Sequence, residues 1–236
     1  MSKSIYLKVD WKSGQFAEYS KDQKDGFNAY TNGKGETRYQ KIYPNGIIAQ
    51  LNDVELKDSN YGMQLVASFR DGDVWYNLQI PVLDQRDQVT NYAVELGRFL
   101  PNLQKGQVYR VYPYLIEKDG KDNLYDKRGI SFKLNDADGE KVLPALSWKA
   151  DANDSVRIPR LNWKEDTLTG KKKPTASSVE AQKEFFATIF QTETARISGS
   201  TAVDNPPAEK GNFGPPAGSG NGSETIKPEE SDDVPF

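Results

Sequence analysis

Cysteine and histidine are both absent from the 236 residues, and methionine occurs only twice. Without cysteine the chain can form no disulfide, offers no thiolate nucleophile and cannot build a thiolate-bound zinc site. Without histidine it lacks the side chain that titrates near neutral pH, the Ser–His and Cys–His nucleophile pairs and the commonest metal ligand. Catalysis would have to rest on carboxylates, lysine or tyrosine. Long apolar runs are missing as well. The opening MSKSIYLKVD holds no apolar stretch of signal-peptide length, and no window approaches a membrane span. The expectation is a soluble, cytoplasmic protein with no membrane contact and no cofactor. Apolar residues make up only 36% of the chain against 28% charged ones, so part of it is expected to stay outside any packed core.

What is present is unevenly spread. From Gly199 to Phe236 there are seven acids and two lysines, a net charge of −5. Residues 1 to 198 carry 29 basic and 27 acidic side chains, a net of +2. The net charge of −3 therefore hides a nearly neutral body and a negative tail. The tail holds six Gly and six Pro in 38 residues and almost nothing apolar to bury, so burial cannot offset its ordering entropy. Three units follow: a body at 1–198, a disordered Gly/Pro-rich linker at 199–228 and an acidic tip at 229–236.

The body has strand periodicity with one inserted helix. RYQKIYPNGIIAQLNDVELKD contains two β-favouring runs around Pro44-Asn45-Gly46. YGMQLVASFR and DVWYNLQIPV flank a turn at Asp71-Gly72-Asp73, a hairpin signal. In the second run Val74, Tyr76, Leu78 and Ile80 alternate with Trp75, Asn77 and Gln79, which puts Trp75 on the more polar face. Tyr92, Leu96, Phe99, Leu100 and Leu103 keep helical spacing, with Thr90 as cap and Pro101 as terminator. Strands return in QVYRVYPYLIE and, after a turn at Asp119-Gly120, in RGISFKL, where Ile130, Phe132 and Leu134 share a face. Three strands, a helix and two strands is the element order of an OB-fold, a five-stranded and partly open barrel. Extra N-terminal strands (SIYLKVDW) and a C-terminal helix with Phe185, Phe186, Ile189 and Phe190 as its stripe complete a mainly β body. Residues 144–173, with Trp148 and Trp163, read as polar and irregular.

Aromatic and basic residues interleave on these strands. Arg110, Tyr112 and Tyr114 alternate with core-type Tyr109, Val111 and Leu115. Tyr39, Lys41 and Tyr43 alternate in an earlier run. Arg70 and Trp75 bracket the hairpin turn, and Arg128 and Lys133 lie on the last strand, with Tyr125 just before it. Flat rings stack on any unpaired base, at about 1–3 kcal/mol per base, and nearby cations neutralise phosphates. These ten residues, Tyr125 apart, are the candidate single-stranded DNA contacts, and because neither kind of contact reads a base edge, binding should tolerate any sequence. Carboxylate pairs such as Asp71/Asp73 and Asp136/Asp138 sit beside glycine in turn chemistry. NDADGE lacks the ligand spacing of a calcium loop, and GKKKPT is not a phosphate-binding loop. The expectation is a binding protein and not an enzyme. An OB-like adaptor for protein or RNA and a carboxylate-dependent nuclease or glycosidase remain alternatives.

The chain closes with Asp232-Asp233-Val234-Pro235-Phe236 after its Gly/Pro-rich linker. This resembles the C-terminal tip of bacterial and phage single-stranded DNA-binding proteins, which end in a short acidic stretch closing with Ile-Pro-Phe. Val234 stands in the Ile place. The resemblance implies a phage protein acting in the bacterial cytoplasm in DNA replication, recombination and repair. It also implies that these five residues dock on a partner of polymerase, helicase, nuclease or primase type. Homo-oligomerisation is possible in such a family. The long segments at 1–36 and 140–198 depart from the short bacterial domain.

Overall fold

The computed structural model describes residues 2–10, 13–60, 62–117, 127–135, 139–148, 156–165, 170 and 172–199. The expected linker beyond Gly199, the acidic tip with Asp232, Asp233, Val234, Pro235 and Phe236, the turn at Asp119-Gly120, Tyr125, Asp136 and Asp138 lie outside the described residues.

The fold is mainly β. Nine strands form one sheet: β1 (Lys3–Asp10), β2 (Gln15–Ser20), β3 (Asn28–Thr31), β4 (Thr37–Tyr43), β5 (Ile47–Ser59), β6 (Gly62–Asp71), β7 (Val74–Pro81), β8 (Val108–Ile116) and β9 (Lys127–Leu134). Their order is β3-β4-β2-β1-β7-β6-β5-β8-β9, curled as a half-barrel. Strands β5, β6 and β7 form the expected meander, with Asp71 and Val74 as the last pair before the Gly72 turn. The chain then crosses through α1 (Asn91–Phe99) and returns as β8 beside β5. The spatial order β8-β5-β6-β7 is a Greek key. Strand β9 extends it as the edge neighbour of β8. On the other side β1 pairs in parallel with β7, so the N-terminal strands continue the sheet instead of forming a separate unit.

Alternation explains which face is buried. Ile5, Leu7 and Val9 of β1, Leu78 and Ile80 of β7, and Tyr109 and Val111 of β8 are buried while their sequence neighbours are more exposed; on β9, Ile130 and Phe132 are buried together with Gly129 and Ser131. α1 packs into the concave side through Leu96, Phe99 and Leu100, and Phe99 meets Phe132 at 5.2 Å. Thr90 caps this helix by accepting a hydrogen bond from the Ala93 amide, and Pro101 falls in a 3-10 turn at Leu100–Asn102. α2 (Ala176–Ser198) adds Phe186, Phe190 and Ile197 to the same core. Gly97 on α1 has no side chain to hold the helices apart: a Cβ there would lie 2.8 Å from the Phe190 ring. The end of α2 is tied down by Arg196, whose Nη2 donates to the carbonyls of Leu100 and Leu103 at 2.7 and 2.9 Å. Ser198 donates to Asp53, beside the bulge where β5 slips register between Leu51 and Asp53.

The irregular segment before α2 contains two small strand pairs. β10 (Leu146–Ser147) pairs with β11 (Val156–Arg157), and β12 (Trp163–Glu165) pairs with β13 (Lys172–Pro174). Among the described residues no helix is long and apolar enough to cross a membrane.

Candidate nucleic-acid interface

The β4–β5 connection decides where the aromatic and basic residues meet. Its two runs do not pair with each other. β4 pairs with β2 and β3, whereas β5 pairs with β6 and β8. The Tyr43–Gly46 turn is therefore a corner between two parts of the sheet, closed by the Gly46 amide donating to the Tyr43 carbonyl at 3.1 Å. Gly46 has φ +70° and lies against β8, where a Cβ would meet the Val111 carbonyl oxygen at 2.0 Å. This contact brings Tyr43 of β4 to the flank of β8.

An open groove of about 830 Å³ runs past this corner, lined by Tyr43, Ile48, Tyr76, Arg110, Tyr112 and Lys133 among others. Register places the contributors side by side. Arg110 is paired with Ile48 on β5 and with Lys133 on β9, and Tyr112 lies two residues further along the same face. Arg70, paired with Gln50 and Trp75, continues the face on β6 and β7. Three cation–ring pairs result: Lys133 over Tyr112 at 5.9 Å, Arg70 over Trp75 at 5.4 Å, and Lys41 over Tyr43 at 5.5 Å.

The electrostatics of the groove are one-sided. Arg110 and Lys133 stand directly opposite each other, a like-charged cross-strand pair that by itself disfavours the sheet. Among the described residues no carboxylate comes within ion-pair distance of Arg70, Arg110, Lys133 or Lys41. Other cations of the body are matched: Arg38 with Glu36, Arg98 with Glu95, Arg196 with Glu193 and Lys183 with Asp87. Asp71 is the acid that lines the groove, at its Tyr76 end. Tyr43 and Tyr76 stay neutral phenols. Burial, then Glu18, which accepts a hydrogen bond from its hydroxyl at 3.2 Å, pushes Tyr43 above the ordinary tyrosine range. Burial, then Asp71, does the same to Tyr76, whose ring meets Tyr43 edge-on at 6.3 Å.

Of the ten residues singled out in the sequence, Tyr43, Arg110, Tyr112 and Lys133 line the groove, and Arg70 and Trp75 continue its face. Lys41 reaches it through the Tyr43 ring, and Tyr39 is half-buried further along β4. Tyr114 shares a face with Tyr112 but lies over Gly129, where a Cβ would come within 2.5 Å of its hydroxyl. Burial raises its pKa first, followed by Glu95 of α1, and it is not among the residues that line the groove. Arg128 is five residues from Lys133, an odd number, and strand alternation sends it to the other face. It lines a separate cavity with Tyr92, Trp148 and Trp163. Sequence reasoning missed Tyr76 and Ile48 as groove residues. The period-2 pattern assigned Tyr76 to the core, yet it is half-buried and lines the groove.

No profile of a known protein family matches the chain, and neither the curated proteins nor the solved structures include a match.

Proposed function

We propose that this protein binds single-stranded DNA with little regard to sequence, through the groove at the β4–β5 corner, and that it is a binding protein without catalytic activity. The observation that carries this reading is the unneutralised Arg110–Lys133 pair beside the Tyr112 ring. Two like charges held opposite one another gain only when an outside anion joins them, and the adjacent ring suits that anion to a nucleotide. A duplex hides its base faces, so rings beside phosphate-binding cations favour an unpaired strand. The Greek-key strands β5 to β9 with α1 between β7 and β8 support an OB-fold reading of this part of the sheet. The N-terminal strands would then be an elaboration that continues the barrel from β7. The acidic segment Asp232–Phe236 is proposed to recruit replication, repair or recombination proteins, its ring entering an apolar pocket and its acids steering it to a basic rim.

The test is a titration of fluorescently labelled oligo-dT, followed by anisotropy, with oligo-dA, duplex and RNA of equal length as comparators. Tyr112→Ala should weaken oligo-dT binding by about 1–3 kcal/mol with an unchanged circular dichroism spectrum. Comparable affinity for oligo-dT and oligo-dA, with duplex much weaker, is the expected pattern. Wild-type affinity in the Tyr112→Ala and Lys133→Ala variants would remove the groove as the binding surface. No oligonucleotide binding at all would leave the adaptor reading, in which the groove or the tail binds protein.

A further inference from the structure

A second cavity, of about 690 Å³, lies away from the groove, between the start of α1, the ends of β1, β6 and β7, and the segment carrying Trp148 and Trp163. Its volume falls in the range of about 300–1,000 Å³ usual for small-molecule sites. Three kinds of group converge on it. Flat walls come from Trp148, Trp163 and Tyr92. Primary amides come from Gln64, Gln79, Gln88 and Asn91. Positive charge comes from Lys8, Arg128 and Arg160, against the single acid Asp84.

The amides of this lining are not used up by the fold. Gln64 is only 9% exposed, yet its side-chain amide makes no hydrogen bond among the described residues, and the same holds for the amides of Gln79, Gln88 and Asn91. Amides that line the cavity without a protein partner are available to a ligand that enters it. The Tyr92 hydroxyl is likewise buried with no hydrogen-bond partner, and burial holds it protonated. Asp84, by contrast, is occupied: its Oδ1 accepts from the Arg86 and Gln88 amides at 2.8 and 3.0 Å. Arg160 spends Nε and Nη2 on the Trp148 carbonyl, which fixes its guanidinium at the rim and leaves Nη1 uncommitted.

We infer that this cavity binds a single nucleotide, its base against the tryptophan and tyrosine rings, its edge on the glutamine and asparagine amides, and its phosphate at Arg128 and Arg160. Amides offer a donor and an acceptor in one plane, which is what a base edge presents. A peptide would instead need a strand edge or backbone partners, and a plain apolar ligand would gain nothing from four free amides. The ligand has two sources, a free mononucleotide or one nucleotide splayed out of a bound strand, and both present the same chemistry.

The experiment titrates the full chain with dTMP, dAMP, thymidine and inorganic phosphate, by calorimetry and ligand-observed NMR, and separately with labelled oligo-dT. Trp163 is 58% exposed, so Trp163→Ala leaves the fold intact. Gln64→Leu keeps the volume and removes the amide. Both variants should weaken mononucleotide binding about tenfold or more, and thymidine and phosphate should each bind more weakly than dTMP. If Trp163→Ala also weakens oligo-dT, and oligo-dT displaces dTMP, the nucleotide comes from the strand. If oligo-dT binding is unchanged and dTMP still binds the oligo-dT complex, the site takes free nucleotides. Absence of dTMP binding at millimolar concentration overturns the inference. So does dTMP binding that Trp163→Ala and Gln64→Leu leave intact while Tyr112→Ala abolishes it, because the ligand then sits in the groove. Failure of the groove reading shows separately, as absent oligo-dT binding with dTMP binding retained.

Discussion

Arg110 and Arg128 show how much depends on the parity of a strand position. Both are cations on the last two strands of the nine-stranded sheet, both are candidates for phosphate contact from the sequence, and they face opposite ways. Arg110 is exposed on the groove face beside Lys133, whereas Arg128 is half-buried with Tyr92. Arg110→Ala should reduce the dependence of log affinity for oligo-dT on log salt by about 0.7, the value of one phosphate neutralised on a single strand. Arg128→Ala should leave that slope unchanged when the oligonucleotide occupies only the groove. Anisotropy titrations at four or five salt concentrations measure both. Equal slopes for Arg110→Ala and the wild type would assign Arg110 to the sheet and not to the ligand. Tyr112 and Tyr114 differ in the same spirit: Tyr112 carries a cation on its ring, while Tyr114 covers Gly129. Replacing Tyr114 therefore removes packing along with any stacking, and Tyr112 is the cleaner probe of the groove.

At the scale of elements, two turns press on β8, and the second of them forms a wall of the groove. The β1–β2 turn places Gly14 against Leu115, where a Cβ would be 2.5 Å from the leucine Cβ, and the β4–β5 corner places Gly46 against Val111 and Tyr112. Both glycines have positive φ, so a substitution meets backbone strain as well as a collision. Gly26 has φ +76° but open space around it, and it separates the two effects. Gly26→Ala should cost about 1 kcal/mol, from strain alone. Gly46→Ala should cost clearly more, about 3 kcal/mol, because the β8 backbone must move. Urea denaturation of the two variants beside the wild type measures the difference. Equal losses would mean that the corner yields easily and does not hold Tyr43 to the groove. If the Gly46 variant stays folded, its oligo-dT affinity should fall too, since Tyr43 and Tyr112 are then no longer set by the same contact.

The whole molecule combines a nearly neutral body with an acidic segment of eight residues, 229–236, half of whose side chains are carboxylates. The charge of that segment is opposite to that of the groove, so the two attract at long range wherever salt does not screen them. Deletion of residues 229–236 should leave oligo-dT affinity equal or higher, with the gain largest at low salt, and should abolish recovery of the proposed replication or repair partner in pull-downs. Phe236→Ala should lose the partner and keep wild-type DNA binding, because it removes a ring and no charge. Identical partner recovery by all three proteins would reduce the acidic segment to a solubility device.

Much of the fold follows from local pattern. Alternation in DVWYNLQIPV and RGISFKL placed Leu78, Ile80, Ile130 and Phe132 inside, and Thr90 and Pro101 bounded α1, because side-chain period, capping and proline geometry are properties of a few neighbouring residues. Arg110, Tyr112 and Lys133 of the groove were legible for the same reason, since each stands on the polar phase of a strand, whereas Tyr76 stands on the core phase. What local pattern does not contain is which strands become neighbours. The parallel pairing of β1 with β7, the seating of the β4–β5 corner on β8, and the opposition of Arg110 to Lys133 each join residues far apart in sequence. Only burial of the shared core selects those partners. The amide-lined cavity is the extreme case. Gln64, Tyr92, Arg128 and Trp163 come from four separate elements, and nothing in any one of them marks it as part of a site. Sequence alone determined the elements and their faces; tertiary packing decided which faces meet, and so where a ligand can be held.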